Sequence, residues 1–431
     1  MAYRPSGGGS TRRQFLKTAA SAGAGMILPL VVRGAVLGKD GGVPPSERIV
    51  LGAIGIGGRG SYVLGCFLNE PVVQFVAIAE VKAARRQAVK KMADSKYGNQ
   101  DCATYRDFRE LLARPDIDAV LIATGPNWHA MASIYSAKAG KDVYCEKPCT
   151  KNIAQSLALA DTFRRTVRIF QAGTQRRSIP HFQFAVELAQ RGRLGKLQAV
   201  HAHPAGMGTG MSGWAPAQPE PAKEELDWDL YLGPAAWRPF NRGCLAGGSF
   251  EKGGGLVGGG ILEWGSHCVD LCQWANTADK TAPVEYFPVE NGRATARYAN
   301  GVQLVVRGDG WLPQDGSCPV RFEGETGWVE AGDSGKLALS SPALLAGRKV
   351  AEIGGYPAHF HVHNFLECVK SRSQPRAGAE VACNAHIACH AVNIAIFLNR
   401  PLKYDPKKHE FIGDEEANRL RSEALREPWH V

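Results

Sequence analysis

The 431-residue chain has 11 cysteines but no Cys-x-x-Cys motif, and the cysteines are odd in number and spread along the sequence. This pattern does not predict the disulfide framework of a small secreted scaffold. No internal repeat occurs either, which argues against a solenoid. The basic residues, 51 Lys and Arg against 41 Asp and Glu, fall in short clusters without interleaved aromatic residues. We therefore expect no nucleic-acid partner.

The composition that is present is that of an ordinary globular protein, with 44% hydrophobic and 21% charged residues. Nothing in it indicates disorder, a collagen-like fibre or a membrane bundle. A single hydrophobic core stops growing at roughly 250–300 residues, so a chain of this length predicts two domains.

The N-terminal segment resembles a twin-arginine export signal. Arg12 and Arg13 are followed by Phe-Leu-Lys and then by a weakly apolar, Ala- and Gly-rich run over residues 18–37. We interpret residues 1–38 as a signal that the twin-arginine export machinery recognises and that is removed, which predicts a periplasmic or otherwise exported protein. Because this route exports folded proteins, the cysteines would be buried in reduced form. A retained membrane anchor or an amphipathic cap is the alternative.

The next part of the chain predicts a linker at residues 39–47 and a first domain at residues 48–175. In this domain short apolar strands alternate with helices. The strands are predicted at residues 48–54, 72–79, 119–123, 142–145 and 169–174. Helices are predicted between them at residues 61–69, 82–97 and 152–165, and a further helix that Gly140 closes follows the strand 119–123. The βαβαβ order predicts a doubly wound parallel sheet, which is a Rossmann domain.

The rhythm changes in residues 176–404, which predict a second α/β domain. Helix 181–191 and strand 197–203 lead to a loop rich in Pro, Gly and Trp over residues 204–258, and a helix follows at residues 261–274. The later strands follow one another without helices, at residues 284–289, 294–298, 302–307, 320–323 and 327–330. Consecutive strands predict a large, mostly antiparallel open sheet. Helices near residues 361–371 and 380–398 are expected to cover one of its faces, before a charged tail at residues 405–431.

A glycine-rich turn marks a dinucleotide site. Gly55, Gly57 and Gly60 are spaced as Gly-x-Gly-x-x-Gly between a strand and a helix, with Gly58 and Arg59 inside the motif. Missing side chains let the backbone approach a pyrophosphate at the helix N-terminus.

An acidic residue follows the second strand at the place where the adenosine ribose is read. Glu80 lies there, twenty residues after Gly60, and its carboxylate would repel a 2′-phosphate. This predicts NAD as the cofactor rather than NADP. Lys82, Arg85 and Arg86 lie close by in sequence and leave NADP open, although a solvated helix face is the simpler interpretation.

Two segments carry residues suited to proton chemistry. Glu146, Lys147 and Pro148 follow a strand of the parallel sheet, which puts the lysine at the edge where ligands bind. On a continuous helix, Glu263, His267 and Asp270 would share one stripe of one face. A core helix would have apolar residues there, so the stripe predicts a polar cleft.

Both segments resemble the glucose-fructose oxidoreductase / inositol dehydrogenase (Gfo/Idh/MocA) family over about residues 48–400. This family has a Glu-Lys-Pro motif after the Rossmann strands and an Asp-x-x-x-His pair on the first helix of the substrate domain. The present chain departs from it in having Glu263 in place of the aspartate. Two further segments, residues 124–129 and 228–234, also resemble the family, and the tail resembles members with export signals.

The resemblance implies an NAD(P)-dependent oxidoreductase that acts on a sugar, glycoside or cyclitol. Export of the folded protein to a compartment with little free NAD predicts that the nicotinamide cofactor is tightly held. The family assigns His267 as the base and Lys147 as the donor to the reacting oxygen, with a share in the base role as the alternative for Lys147. Glu263 is the carboxylate that orients His267 or binds a neighbouring hydroxyl. Trp128 and Asp270 are expected at the substrate, with a structural carboxylate as the alternative for Asp270. The remaining residues expected at the cofactor are Thr124, Asn127, His129, Glu146 and Lys147. A homo-oligomer, a dimer or a tetramer, is also implied.

Two other functions stay open at this stage. Exported relatives cleave glycosides through a transient NAD-dependent oxidation, and some relatives are sugar sensors without catalysis. The presence of Lys147 and His267 argues against a sensor.

Two groups of histidines have spacings that metal ligands also use. His359, His361 and His363 would alternate on a strand, and Cys383, His386 and His390 would share one helix face. Neither group has a fourth partner nearby in sequence, so packing, capping or substrate contact is the preferred interpretation and we predict no metal.

Overall fold

The computed structural model describes residues 43–205, 216–245 and 260–430. The predicted export signal and most of the predicted linker lie outside these residues, as does much of the loop predicted at 204–258. The chain divides into a unit that ends at Arg48 and a unit that runs from Ile49 to Val431. The first contributes a 3-10 turn at Pro45–Glu47. The sheets, the helices and the cavity all lie in the second unit.

The first sheet of the described chain has six parallel strands in the order β3-β2-β1-β4-β5-β6. The strands are β1 Ile49–Ile56, β2 Val73–Ala79, β3 Ala103–Tyr105, β4 Ala119–Ala123, β5 Asp142–Cys145 and β6 Phe170–Ala172. β1 is buried almost throughout, as expected for a strand with helices on both faces. The strand order reverses between β1 and β4, so ligands are expected outside the carboxyl ends of these two strands.

Five helices accompany this sheet: α1 Gly58–Leu68, α2 Ala83–Tyr97, α3 Phe108–Leu112, α4 Pro126–Lys138 and α5 Ile153–Thr166. Local sequence explains where they begin and end. The Asn152 side chain accepts a hydrogen bond from Gln155 N at the start of α5, and Gly98 ends α2 in the left-handed conformation. The Rossmann domain expected from the sequence is therefore confirmed.

The second sheet has nine strands in the described residues, in the order β13-β12-β11-β7-β10-β9-β8-β14-β15. The strands are β7 Leu197–Ala202, β8 Glu285–Glu290, β9 Arg293–Arg297, β10 Gln303–Arg307, β11 Val320–Gly324, β12 Trp328–Ala331, β13 Leu337–Leu339, β14 Leu402–Asp405 and β15 Glu410–Phe411. β7 and β10 pair in parallel, and the other pairings are antiparallel. This is the mostly antiparallel α/β domain that the sequence predicts.

The later helices are α6 Pro180–Gln190, α7 Trp228–Leu232, α8 Gly260–Glu263, α9 Gly265–Ala275, α10 His359–Ser371, α11 Ala379–Leu398 and α12 Glu415–Arg419. α6, α9 and α11 share one apolar core with the second sheet. Among the described helices only α11 is long and apolar enough to span a membrane, but 78% of its most apolar window is buried inside the protein.

The helix α10 lies where the sequence did not place it. We expected it over the antiparallel sheet, but Val362, Phe365 and Leu366 join the core on one face of the Rossmann sheet. Arg372, just after α10, pairs with Asp142 at the start of β5 through two contacts of 2.6 and 3.1 Å. The chain thus returns to its first domain after completing most of the second sheet.

The helix predicted at residues 261–274 is two helices. Trp264 interrupts the run between α8 and α9. Trp264 itself keeps right-handed helical angles, φ −99° and ψ −30°. The two carboxylates nevertheless have different partners, since Glu263 pairs with Lys147 and Asp270 pairs with Arg177.

Candidate active site

The glycine-rich turn joins β1 to α1. Gly55 has φ +66°, and a Cβ atom there would lie 2.3 Å from Thr124 Cγ2, so the position requires glycine. At the N-terminus of α1, Gly57 supplies no side-chain cap, and a Cβ on Gly58 would meet no atom within 4 Å. Amide groups at this end of α1 are therefore accessible to a phosphate, and the turn fits a dinucleotide pyrophosphate.

Glu80 stands at the carboxyl end of β2 with 6% of its surface exposed. One carboxylate oxygen accepts a hydrogen bond from Ile56 N at 3.0 Å and the other from Lys82 N at 2.8 Å. Burial raises the pKa of the Glu80 carboxyl, and these two amides oppose the shift. Since two carboxylate oxygens offer about four acceptor sites, Glu80 keeps capacity for the hydroxyls of a ribose.

One cavity of about 340 Å³ connects these residues with the predicted catalytic lysine. Its volume is in the range of small-molecule sites, roughly 300–1,000 Å³. Predicted site residues that line it are Gly55, Gly57, Gly58, Arg59, Gly60, Glu80, Thr124, Asn127, Trp128, His129, Glu146, Lys147 and Glu263. Two predicted residues, His267 and Asp270, do not line it.

The turn between β4 and α4 forms one wall of the cavity. The His129 ring lies between two carbonyl groups, with Nδ1 2.7 Å from Pro148 O and Nε2 3.1 Å from Thr124 O. Burial lowers the pKa of His129 to about 4. His129 thus joins the ends of β4 and β5 and helps to hold Lys147 in place.

Asn127 and Trp128 reach across to residues 228–234, which we call the wall segment. The Asn127 side chain donates to Leu232 O at 2.8 Å, and Trp128 Nε1 donates to Leu230 O at 2.8 Å. Leu230 and Tyr231 of this segment line the cavity themselves.

Lys147 and Glu263 form an ion pair at the other end of the cavity. Lys147 Nζ also lies 3.3 Å from the main-chain oxygen of Glu263. The two residues are 116 positions apart, so the pair fixes the end of β5 against α8. Glu263 therefore contacts the predicted donor, and no contact between Glu263 and His267 appears in the described residues.

His267 lies near the start of α9 with 4% of its surface exposed. Burial lowers the pKa of its imidazole well below the usual value, and the charges of Arg176, Lys147 and Arg59 lower it further. Within the described part of the chain its Nδ1 atom has no hydrogen-bond partner. The ring is therefore neutral, and its lowered pKa makes it a weaker proton acceptor than a free imidazole.

Arg59 and Glu146 form a second charge pair beside the glycine-rich turn. Arg59 Nε lies 3.7 Å from Glu146 Oε1. Burial raises the pKa of Glu146, while Arg59 and Lys147 oppose the shift. Arg59 also stacks on the rings of Tyr62 and Tyr356 at 4.8 and 5.0 Å. This pair lies between the pyrophosphate end and the lysine end of the cavity.

Asp270 points into the protein rather than into the cavity. Its carboxylate receives Arg177 Nε at 2.6 Å, and the same guanidinium pairs with Asp279 at 2.6 Å. Burial raises the pKa of Asp270 to about 6, and Arg177 opposes the shift. The contacts are those of a structural carboxylate, the alternative noted from the sequence.

Both groups of histidines lie on helices rather than on a strand. His359, His361 and His363 lie on the helix α10, and the buried His361 contacts Ser178 Oγ and Ala172 O. On α11, His386 Nδ1 lies 2.6 Å from Ala382 O, and its Nε2 accepts a hydrogen bond from Cys149 N. No group of three or more His, Cys, Asp or Glu side chains in the described ranges could hold a metal ion.

Several cavity residues were not predicted from the sequence. Arg85, Arg106, Leu230 and Tyr231 all line it. The resemblance of residues 228–234 to the family was a signal for the last two, but a basic helix face gave no specific signal for Arg85.

The geometry can be compared with known proteins. The model of the oxidoreductase family's NAD-binding Rossmann fold matches residues 49–174, and that of its C-terminal alpha/beta domain matches residues 209–431. The chain belongs to the Gfo/Idh/MocA oxidoreductase family. The family resemblance inferred from the sequence is thereby confirmed, and with it an enzyme whose Rossmann domain takes a nicotinamide dinucleotide.

Known relatives of the family match the chain in part. A glycosyl hydrolase family 109 protein of Saccharopolyspora erythraea is 32% identical over 176 residues, which make up 37% of this chain and 38% of that relative. The match thus spans less than half of the relative's length.

Solved structures match over more of the chain. The aldose-aldose oxidoreductase of Caulobacter crescentus, solved with glycerol, has a TM-score of 0.58 at 18% identity and covers 83% of this chain and 99% of its own. For the myo-inositol 2-dehydrogenase of Lactobacillus plantarum the TM-score is 0.57 at 17% identity, with 83% and 100% covered. At these identities the likeness shows the fold.

Proposed function

We propose that this protein is an exported NAD-dependent oxidoreductase that acts on a hydroxyl-bearing carbon of a sugar, a glycoside or a cyclitol. The observation that carries the proposal is the cavity itself, with a pyrophosphate cradle at one end and the Lys147–Glu263 pair at the other. The names of the oxidoreductase and dehydrogenase relatives support this substrate class.

The residues that would hold the cofactor lie along this cavity. Amides of the glycine-rich turn would bind the pyrophosphate, and Glu80 would bind the adenosine ribose. Thr124 and His129 line the end where the nicotinamide would lie. When bound, the nicotinamide takes the hydrogen and its two electrons from the substrate carbon or returns them.

The chain's own residues would manage the proton. Lys147 donates a hydrogen bond to the substrate oxygen and stabilises the charge that develops there. His267 accepts the hydroxyl proton and can return it in the reverse direction. Glu263 holds the Lys147 ammonium at the cavity. In this account Glu263 positions the lysine rather than the histidine.

Two variants test these roles. Lys147→Ala and His267→Ala are each expected to lower turnover by roughly 10²–10⁴-fold, because each removes a group that acts on the reacting oxygen or its proton. Dinucleotide affinity should stay nearly unchanged in both, since the cradle and Glu80 are intact. Turnover of sugars and polyols and dinucleotide binding by fluorescence titration are the measurements.

Exposed residues of the same types provide matched controls. Lys138→Ala, at the end of α4, and His359→Ala, at the start of α10, should leave turnover unchanged. Near-normal turnover in the Lys147 or His267 variant would remove that residue from the mechanism.

A second candidate is glycoside cleavage through transient oxidation, which the relative named as a glycosyl hydrolase favours. The same proton acceptor serves both reactions, so the product distinguishes them. Release of free sugar without net formation of NADH supports cleavage, and an oxidised product supports the dehydrogenase.

The export and assembly of the protein belong to the same proposal. Arg12, Arg13 and the apolar run that follows support export through the twin-arginine machinery. A periplasmic enzyme has little free NAD around it, so the cofactor is expected to travel with the folded chain. Formation of a dimer or a tetramer is proposed from the family resemblance.

A further inference from the structure

The last residues of the described chain run back along the Rossmann domain. We call residues 421–430 the C-terminal strap. Its first contacts are with the start of α5, where Ala154 N donates to Arg421 O at 2.9 Å and Lys151 lies 3.7 Å from Glu423. The sequence predicted this part only as a charged tail.

Arg426 binds the wall segment, residues 228–234, through four contacts. Its Nε donates to Gly233 O at 2.9 Å and its Nη2 to Asp229 O at 2.9 Å, while Nη1 pairs with the Asp229 carboxylate at 2.6 Å. Its main-chain amide donates to Pro234 O at 3.0 Å. A guanidinium at these carbonyls satisfies the C-terminal end of the short helix α7.

Trp429, also in the strap, packs against Trp128, which contacts the wall segment. It is 3% exposed, and its ring meets Trp128 edge to face at 4.7 Å between centroids. Arg109 lies over the ring at 5.1 Å. Trp128 in turn lines the cavity and donates to Leu230 O of the wall segment. The strap therefore holds the wall segment directly through Arg426 and indirectly through Trp429.

The wall segment packs closely against Trp128 at Gly233. Gly233 has φ +53°, and a Cβ atom at this position would lie 2.2 Å from the Trp128 ring. Both the backbone conformation and the space exclude a larger residue here. The wall segment thus packs against Trp128 and is also bound by Arg426.

The wall segment also reaches the end of the cavity where adenosine would lie. Lys82 lies over the Tyr231 ring at 5.1 Å, and the Lys82 amide binds Glu80. Ala83 N donates to Glu225 O at 2.9 Å, just before the wall segment. A movement of this segment would open the cavity beside Glu80.

We propose that the C-terminal strap locks the wall segment over the dinucleotide cavity and so slows the release of the cofactor. This inference rests on the proposed function. Arg426 and Trp429 act as positioning residues, because they contact the wall and not the reacting groups. The strap gives a structural basis for a cofactor that stays with the enzyme.

The test measures cofactor release from the full chain. Each protein is loaded with NADH and mixed with excess NAD, and the loss of NADH fluorescence gives the off-rate. Arg426→Ala and Trp429→Ala are each expected to raise the off-rate at least about tenfold, while turnover at saturating dinucleotide changes less than about twofold.

Matched variants separate this role from general stability. Arg419→Ala removes an arginine of the same tail whose side chain is 82% exposed, and it should leave the off-rate unchanged. Trp429→Phe keeps an aromatic ring against Trp128 and is expected to restore slow release. Arg426→Lys keeps the charge but cannot bind both carbonyls at once, so it should still release NADH faster than the unmodified chain. This variant replaces Arg426→Ala in the test if the alanine variant does not fold.

The outcomes distinguish the two proposals. Off-rates within about twofold of the unmodified chain in folded Arg426 and Trp429 variants would overturn the strap. Failure of the unmodified chain to bind NADH would contradict the proposed function, and the strap's role would fall with it.

Discussion

At the scale of single residues, four of the charged side chains that line the cavity form two ion pairs, whereas Glu80 is held by backbone amides. Lys147 pairs with Glu263, and Arg59 with Glu146. Unpaired charges are costly to bury, and Glu80 instead accepts hydrogen bonds from two backbone amides. Its position is therefore fixed by the backbone, and its remaining acceptor sites face the cavity that it lines.

This arrangement predicts that Glu80 sets the choice between NAD and NADP. Glu80→Ser, or the isosteric Glu80→Gln, removes the carboxylate that repels a 2′-phosphate, and Arg85 of the cavity remains to attract it. We expect the ratio of the NADP and NAD dissociation constants to fall at least about tenfold, as measured by fluorescence titration. An unchanged ratio in both variants would show that the ribose is recognised elsewhere.

At the scale of helices and strands, much of the first domain could be predicted from the sequence. Apolar strands buried on both faces alternate with helices, and the glycine-rich turn and the Glu-Lys-Pro motif mark the ends of β1 and β5. These signals are local, because the hydrophobic pattern shows which face of an element is buried. They place Lys147 at the correct edge of the sheet.

The parts that could not be predicted depend on contacts between distant segments. The pairing of Lys147 with Glu263 joins residues 116 positions apart, and that of Asp270 with Arg177 joins residues 93 positions apart. A sequence pattern can place each charge on a face but does not give its partner. The stripe predicted from the sequence likewise did not show that Glu263 pairs with Lys147 whereas Asp270 pairs with Arg177.

The positions of the C-terminal tail and of α10 also depend on contacts between distant segments. The sequence predicted residues 405–431 as a charged tail without a position in the fold, and a few buried residues, Trp429 above all, decide where it lies. A helix near residues 361–371 was predicted, whereas the sheet that α10 covers depends on the course of the whole chain.

At the scale of the whole molecule, buried histidines predict instability in acid. Burial lowers the pKa of His129 and His386 to about 4 and that of His361 and His390 to about 3. In the unfolded chain these histidines would have pKa values near 6.5. Between pH 6.5 and pH 4 the unfolded chain thus binds protons that the folded chain does not, and stability falls as the pH falls.

Some carboxyl groups act in the opposite direction. Burial raises the pKa of Asp270 to about 6 and that of Asp315 to about 8, so below these values the folded chain holds protons that the unfolded chain releases. The histidines with lowered pKa values are more numerous in the described residues, and they are His129, His181, His201, His203, His267, His361, His386, His390 and His409. Their effect prevails.

We therefore expect the free energy of unfolding, from urea denaturation, to be lower at pH 5 than at pH 7 by at least about 2 kcal/mol, since each net proton contributes about 1.4 kcal/mol per pH unit. His390→Asn should reduce this difference, and His359→Asn, at an exposed position, should not. Equal or greater stability at pH 5 would contradict the assignment of neutral buried histidines.

The most direct test of the central claim is the dinucleotide content of the protein purified without added cofactor. Absorbance and mass spectrometry of the released small molecules give the number of dinucleotides per chain. We expect close to one NAD per chain, retained through purification, because the strap is proposed to hold the wall segment over the cavity and to slow cofactor release. A stable protein that is empty, needs millimolar NAD and releases NADH at every turnover would contradict it.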